Sequence, residues 1–264
     1  MIKNFALKKS STFLIFCFLF TSLSAQQNLD LYLLIGQSNM AGRGTLEAQD
    51  TIPLQDVYML TKELNWVPAK DPIHFDKDIA GVGLGKSFAE DISKMSKNQI
   101  GLIPCAVGGS GIDTWKPGGY HESTNTHPWD DMVPRLKHAL QYGQIKGVLW
   151  HQGESDSKVG LADQYKAKLL DLIQRVRALI DKPELPFVLG QMLPEYLDLH
   201  GQERKDNPIY PETVWEATQE VAKADPKVTI AKSEGLKGKD GVHFNSAGYR
   251  KLGKRYAKAM KKLL

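Results

Sequence analysis

The stretch LYLLIGQSNM, residues 31–40, sets the pattern from which the fold of this chain is inferred. Five mostly apolar residues are followed directly by a glycine, a glutamine and a serine. A short run that is hydrophobic on both faces is typical of a strand buried in a parallel sheet, because helices cover both sides of such a sheet. Four more runs of this kind follow along the chain, over residues 100–107, 148–150, 187–189 and 228–231.

The segments between these runs have helical periodicity. Apolar side chains recur at steps of three and four in residues 162–180, and similar stretches cover residues 87–95, 131–142, 211–224 and 246–263. Strands that alternate with helices predict an α/β fold with three layers, α/β/α, around a parallel sheet of five strands. Because no repeat, low-complexity tract or linker interrupts residues 26–264, we expect a single domain there.

The first 25 residues have the features of a secretory signal peptide. Three lysines precede or border an apolar run over residues 13–20, and small residues follow near position 25. Phe16, rather than a small residue, precedes Cys17, so a lipoprotein anchor is not expected. We therefore predict a secreted or periplasmic protein without a membrane span, since no apolar stretch reaches the roughly 20 residues that a span needs.

Charge and cysteine content exclude several classes of function. Residues 1–25 carry three lysines and no acidic residue, so removing them lowers the formal net charge from +4 to +1. That balance argues against a nucleic-acid partner. Cys105 would be the remaining cysteine, and its apolar surroundings indicate a core residue rather than a nucleophile. The glycine-rich segment 81–87 departs from the spacing of a phosphate loop, because Ala80 stands where the first glycine is required.

Polar residues follow the predicted strands at the points where these strands end. Ser38 follows the first strand, Gly109 lies in a turn after the second, and Gln152 follows the third. Asp240 and His243, three residues apart, come after the last strand. A helix cap would explain Ser38 alone and a plain turn would explain Gly109, whereas the polar run around Gln152 is more than a turn requires. Parallel strands end at one edge of a sheet, however, so together they predict a nucleophile, oxyanion donors and a base in one crevice.

Three motifs carry a resemblance to a known family: GQSNM at residues 36–40, WHQGESD at 150–156 and DGVHF at 240–244. They resemble the sialate O-acetylesterase branch of the SGNH hydrolases, which includes the acetyl xylan esterases of carbohydrate esterase family 6. The resemblance extends from residue 31 to about residue 256. It implies a flavodoxin-like sheet with strand order 2-1-3-4-5, and removal of acetyl groups from sugars without a metal or other cofactor.

The same resemblance implies roles for individual residues. Ser38 is expected to be the nucleophile, and Asp240 and His243 are expected to complete the catalytic triad. The implied oxyanion hole has three donors, which are the backbone N–H of Ser38, Gly109 and Gln152. Glu154 is the alternative acid, because a second carboxylate in this motif could orient His243 in place of Asp240.

The substrate contacts are less determined by the sequence. Gln37 and Asn39 flank the predicted nucleophile and are candidates for binding substrate. Trp115 and Trp129 belong to an aromatic insertion over residues 112–131, whose rings either stack on a sugar or cover the edge of the sheet. Two histidines in this insertion lack the ligand spacing of an ordinary zinc site, so no metal is expected.

The sequence therefore predicts a serine esterase that removes O-acetyl groups from a carbohydrate through an acetyl-enzyme intermediate. Acetylated xylan and acetylated sialic acids are the substrate types that the resemblance suggests, and no obligate protein partner is implied. A lipid or thioester hydrolase is an alternative on the same fold, although the polar insertion argues against an acyl channel. A carbohydrate-binding protein without catalysis is the alternative from another class.

Overall fold

The computed structural model describes residue 1, residues 28–204 and residues 207–264. The predicted signal peptide, apart from Met1, lies outside the described residues. The strands in the described ranges are β1 (Leu29–Gly36), β2 (Val57–Leu60), β3 (Trp66–Pro68), β4 (Ile100–Pro104), β5 (Gly143–His151), β6 (Phe187–Gly190), β7 (Glu203–Arg204), β8 (Asn207–Pro208) and β9 (Val228–Ala231). The α-helices are α1 (Ser38–Ala41), α2 (Gly85–Ser93), α3 (Pro128–Ala139), α4 (Tyr165–Ile180), α5 (Pro194–Leu197), α6 (Pro211–Ala224) and α7 (Ser246–Lys261).

Seven of these strands form one sheet in the order β3-β2-β4-β1-β5-β6-β9. The five predicted strands are all parallel, and their order, β4-β1-β5-β6-β9, confirms the predicted arrangement 2-1-3-4-5. The sheet is larger than predicted, because β2 pairs in parallel with β4 and β3 pairs antiparallel with β2. Both added strands are short and partly exposed, so they lack the doubly apolar run that marks a central strand.

Helices flank the sheet and fix its central strands. Helices α2 and α7 pack against each other, and the Phe88 ring of α2 meets the Tyr32 ring of β1 edge-on at 5.0 Å. Helices α4 and α6 form a second pair. The hydroxyl of Tyr165 in α4 accepts a hydrogen bond of 3.1 Å from the indole N–H of Trp150 in β5. Close packing of this kind holds the strand ends in place.

The register of the strands brings three of their ends together. Gly36, the last residue of β1, pairs with His151, the last residue of β5, while Leu34 pairs with Pro104 at the end of β4. Gly36 has a φ of +130°, and a Cβ there would lie 2.2 Å from the carbonyl oxygen of His151, so only glycine fits. The loops that follow β1, β4 and β5 therefore leave the sheet at one edge, where open α/β sheets bind ligands.

Candidate active site

Ser38 lies where β1 gives way to α1, and it is 8% exposed. Its Oγ lies 3.0 Å from Nε2 of His243, a residue 205 positions later in the chain. As the first residue of a helix, Ser38 has a backbone N–H without an intrahelical acceptor, and this N–H donates to no other group in the described part of the chain. The fold thus brings together the residues that follow the first and last predicted strands.

Asp240 and His243 form a compact turn before α7. Nδ1 of His243 lies 2.8 Å from Oδ2 of Asp240. The other carboxylate oxygen, Oδ1, accepts hydrogen bonds from the backbone N–H groups of Val242 at 3.0 Å and His243 at 2.8 Å. Partial burial raises the pKa of Asp240, but the hydrogen bonds from the His243 ring and from these two amides outweigh it and hold the pKa below its ordinary value. The carboxylate is therefore ionised and oriented toward the imidazole.

Gly109 lies in the turn after β4. Its φ of +88° is in the left-handed region that favours glycine. The N–H of Gly109 has no acceptor among the described residues, whereas its carbonyl oxygen accepts a hydrogen bond of 2.9 Å from the Ser155 hydroxyl. An unengaged N–H at a strand end is suited to receive a developing negative charge.

A buried ion pair holds the turn that contains Gly109. Nη2 of Arg43 lies 2.6 Å from Oδ2 of Asp76, and both side chains are less than 5% exposed. The same Asp76 oxygen accepts a hydrogen bond of 2.8 Å from the backbone N–H of Gly108. Arg43 also donates to the carbonyl oxygen of Gly42, at the end of the serine helix. The ion pair therefore connects the serine loop to the turn after β4.

Gln152 is buried next to this turn, and its amide already has three acceptors in range. Nε2 lies 2.5 Å from Asp156 Oδ2, 3.0 Å from Gln37 Oε1 and 3.3 Å from the carbonyl oxygen of Ser110. The side-chain oxygen of Gln152 is buried without a hydrogen-bond partner in the described residues. Both amide hydrogens of Gln152 are thus engaged, and one would have to turn before it could donate to an oxyanion. Its oxyanion role stays a prediction.

Asn39 and Glu154 are both buried and contact each other, which differs from the predicted substrate contact for Asn39. Asn39 is 0% exposed, so a substrate does not reach it. Its Nδ2 donates to Oε1 of Glu154 at 2.5 Å. Burial raises the pKa of Glu154 to about 7. Within the described ranges Glu154 pairs with Asn39, and the acid that contacts the His243 ring is Asp240.

The two tryptophans predicted to stack on a sugar belong to the core. Trp115 is fully buried, donates its indole N–H to the Ser110 hydroxyl and meets Trp150 edge-on at 5.6 Å. Trp129 is 6% exposed, and the guanidinium of Arg175 lies over its ring at 4.8 Å. Their burial favours the second of the two roles considered for this insertion, covering the edge of the sheet, over stacking on a sugar.

Gln37 is also buried, and its side-chain oxygen accepts from Gln152 and from the backbone N–H of Ser155. Its role in binding substrate stays a prediction.

A cavity of about 520 Å³ has a lining that includes neither Ser38 nor His243. Its walls include Phe75, Asp76, Val107 and Cys105, and burial raises the pKa of the Cys105 thiol to about 11.

Within the described residues, no group of three or more His, Cys, Asp or Glu side chains could hold a metal ion. No helix of the described chain is long and apolar enough to cross a membrane.

A family model for "carbohydrate esterase, sialic acid-specific acetylesterase" matches residues 28–262. The chain belongs to this family. The matched range contains every residue of the site described above, and the family assignment confirms the resemblance seen in the three sequence motifs.

Individual relatives agree with membership in this carbohydrate esterase family. The probable carbohydrate esterase At4g34215 of Arabidopsis thaliana is 33% identical over 180 residues, an alignment that spans 60% of this chain and 66% of that protein, just under two thirds of its length. The crystal structure of the same Arabidopsis protein has a TM-score of 0.76 with 29% identity, covering 89% of this chain and 98% of that one.

Two further structures share the fold at lower identity. The structure of NanS has a TM-score of 0.70 at 16% identity, covering 90% of this chain and 98% of that one. XAC1771, described as a novel carbohydrate acetylesterase from Xanthomonas citri, has a TM-score of 0.67 at 22% identity, covering 89% of this chain and 56% of that one. At these identities the likeness concerns the fold alone.

The residues that hold the loops of the site in place by buried hydrogen bonds could not be predicted from the sequence. Asp76 and Arg43 lie in loops without a recognisable pattern, and nothing in their spacing indicates that they form a buried ion pair. Tyr249 lies in the helical stretch predicted over residues 246–263, and its periodicity does not indicate that its hydroxyl reaches Asn39 at 2.7 Å. Lys77 and Asp78 directly follow Asp76, so the charge of Asp76 alone does not mark it as buried.

Proposed function

We propose that this chain is a serine esterase that removes O-acetyl groups from a carbohydrate. The observation that carries the proposal is the hydrogen-bonded series Ser38–His243–Asp240, with 3.0 Å between Oγ and Nε2 and 2.8 Å between Nδ1 and Oδ2. A nucleophile, a base within hydrogen-bond reach and an acid that orients the base are the arrangement that activates a serine.

In the proposed reaction, Ser38 Oγ attacks the acetyl carbonyl carbon while His243 Nε2 takes the hydroxyl proton. Asp240 keeps the other imidazole proton on Nδ1 and stabilises the imidazolium that forms. The backbone N–H groups of Ser38 and Gly109 stabilise the negative charge of the tetrahedral intermediate. Gln152 becomes a third donor by turning one hydrogen away from the Ser110 carbonyl, which is its longest contact.

Collapse of this intermediate expels the sugar hydroxyl, which takes its proton from His243, and leaves an acetyl group on Ser38. A water molecule then attacks the acetyl carbonyl, and His243 accepts its proton as the general base. Release of acetate restores the serine. Every proton in both half-reactions passes through Nε2 of His243, so the mechanism requires no metal or cofactor.

The proposed substrate class is an acetylated carbohydrate, supported by the family description and by the names of its relatives. Acetylated sialic acids and acetylated xylan are the two types to compare. Export through a signal peptide over residues 1–25 stays a prediction, and N-terminal sequencing of the protein recovered from its native host would test it.

A fluorophosphonate probe tests the proposal directly. The wild-type chain should be labelled at Ser38 and should release acetate from an acetylated sialic acid or from acetylated xylan. Ser38→Ala should abolish labelling and lower kcat by about 1,000-fold or more with the fold intact. Acetate release by the alanine variant at a tenth of the wild-type rate would contradict the assignment of the nucleophile. Sugar binding without labelling or hydrolysis would favour a non-catalytic carbohydrate-binding protein.

A further inference from the structure

Asn39 connects the serine helix to the loop that carries the histidine. Its Nδ2 donates to the carbonyl oxygen of Val242 at 2.9 Å, and its Oδ1 accepts from the backbone N–H of Phe244 at 3.4 Å. Val242 and Phe244 are the residues on either side of His243. A single side chain, adjacent to the nucleophile in the sequence, therefore holds the peptide groups before and after the base.

Two buried side chains fix the orientation of the Asn39 amide. The Glu154 carboxylate accepts the second Nδ2 hydrogen, and the Tyr249 hydroxyl donates to Oδ1 at 2.7 Å. Both hydrogens and both lone pairs of the amide are thus used. Rotating the amide by 180° would set its oxygen against the Val242 carbonyl and its NH₂ against the Phe244 N–H. Only the observed orientation satisfies all four partners.

We propose that Asn39 is the positioning residue that sets the distance between Ser38 and His243, with Glu154 and Tyr249 holding its amide in the one productive orientation. This inference rests on the proposed esterase function. The Asp240 turn orders the histidine loop internally, but the hydrogen bonds of Asn39 place that loop relative to the serine. Asn39 acts through the main chain around His243 and does not touch the reacting atoms.

The test is Asn39→Asp, which keeps the shape of the side chain and removes both hydrogens of Nδ2. An aspartate oxygen would face the Val242 carbonyl and the Glu154 carboxylate, so the histidine loop loses its anchor. Since a displacement of about 1 Å in a catalytic group costs about 100-fold in rate, we expect kcat on p-nitrophenyl acetate to fall by about that factor. KM should change by less than about threefold, because the substrate contacts remain. The matched control is Asn65→Asp. Asn65 is exposed and lies in the turn between β2 and β3, so this variant should keep wild-type kinetics.

A second substitution distinguishes positioning from a general loss of structure. In Asn39→Asp combined with Glu154→Gln, the glutamine amide can donate to the new aspartate, so the pair regains one hydrogen bond with reversed polarity. The Val242 carbonyl still lacks its donor in this double variant, so its Tm should rise above that of Asn39→Asp while its kcat stays within about threefold of the Asn39→Asp value. Tyr249→Phe provides a milder perturbation, and kcat should fall by about three- to tenfold through loss of one buried hydrogen bond.

All variants are compared well below the melting temperature of the least stable one, with folding checked by circular dichroism. Asn39→Asp with more than a third of the wild-type kcat would overturn the inference, and so would a double variant whose kcat returns to within about threefold of wild type. If Asn39→Asp does not fold, a wild-type kcat in Tyr249→Phe overturns it instead. A wild-type chain that neither hydrolyses the ester nor reacts with fluorophosphonate would refute the proposed function itself.

Discussion

Replacing Asp240 by asparagine should show whether this residue is the acid of the triad. Because Asp240 Oδ1 accepts from two backbone N–H groups, an asparagine would keep its carbonyl oxygen there and turn its Nδ2 toward His243. A donor facing Nδ1 forces the imidazole proton onto Nε2, the atom that must accept the proton of Ser38. In serine hydrolases the wrong tautomer costs about 10,000-fold in kcat, which corresponds to about 5.4 kcal/mol of transition-state stabilisation.

Glu154→Gln is the matched comparison, because it makes the same chemical change in the competing acid. The glutamine oxygen still accepts the hydrogen bond from Asn39, and burial already raises the pKa of Glu154 to about 7, so near neutral pH much of this carboxyl is uncharged. We expect kcat to fall by less than about tenfold. Both variants are assayed side by side on p-nitrophenyl acetate, after thermal unfolding has shown that they are folded. A larger loss in Glu154→Gln would transfer the role to Glu154, and a tenth of wild-type kcat in Asp240→Asn would refute the tautomer argument.

Three further predictions concern the acyl group, metals and pH. Acetyl esters should exceed butyryl and longer esters by at least about tenfold in kcat/KM, because the proposed oxyanion donors, the N–H groups of Ser38 and Gly109, are polar and offer little reward for each added methylene. Equal or rising values from C2 to C8 p-nitrophenyl esters would favour a lipid hydrolase. EDTA should leave hydrolysis unchanged, and activity that is lost on chelation and restored by zinc would mean a different reaction class. Burial raises the pKa of Asp71 to about 7, so the folded state holds this proton more tightly than the unfolded chain and loses stability as the pH rises from about 4 to 7. Asp71→Asn cannot ionise, so its gain in Tm over the wild type should be larger at pH 8 than at pH 5, and an equal gain at both would contradict the shift.

The central sheet could be predicted because its strands obey a simple rule. A strand covered by helices on both faces must be apolar throughout, and the five runs of that kind in this sequence are five of the parallel strands of the structure, β1, β4, β5, β6 and β9. The rule does not detect strands β2 and β3, since only part of each strand is buried. The added strands leave the order of the central five unchanged, and hence also the edge at which the site lies.

The residues proposed for catalysis were predictable for a related reason. Ser38, Asp240 and His243 directly follow strands or stand in one short turn, so parallel topology alone brings them to a common edge. Asn39 and Trp115 show the limit of that argument. Whether a polar or aromatic side chain near a strand end faces the substrate or the core depends on the path of the loops around it, and both of these residues are buried.

The catalytic arrangement depends on main-chain positions that polar side chains hold by hydrogen bonds. Asp240 accepts from two amides of its own turn, Asn39 bonds the peptides around His243, and Asp76 accepts from the amide of Gly108. Each of these side chains fixes a segment of loop whose glycines and turns would otherwise have several conformations within reach. A hydrogen bond to the main chain is kept when neighbouring side chains change, but it is lost when the side-chain donor is replaced by an acceptor. The side chains that bond these main-chain groups directly, Asn39, Asp76 and Asp240, should therefore be far more sensitive to an exchange between amide and carboxylate than to changes in side-chain size.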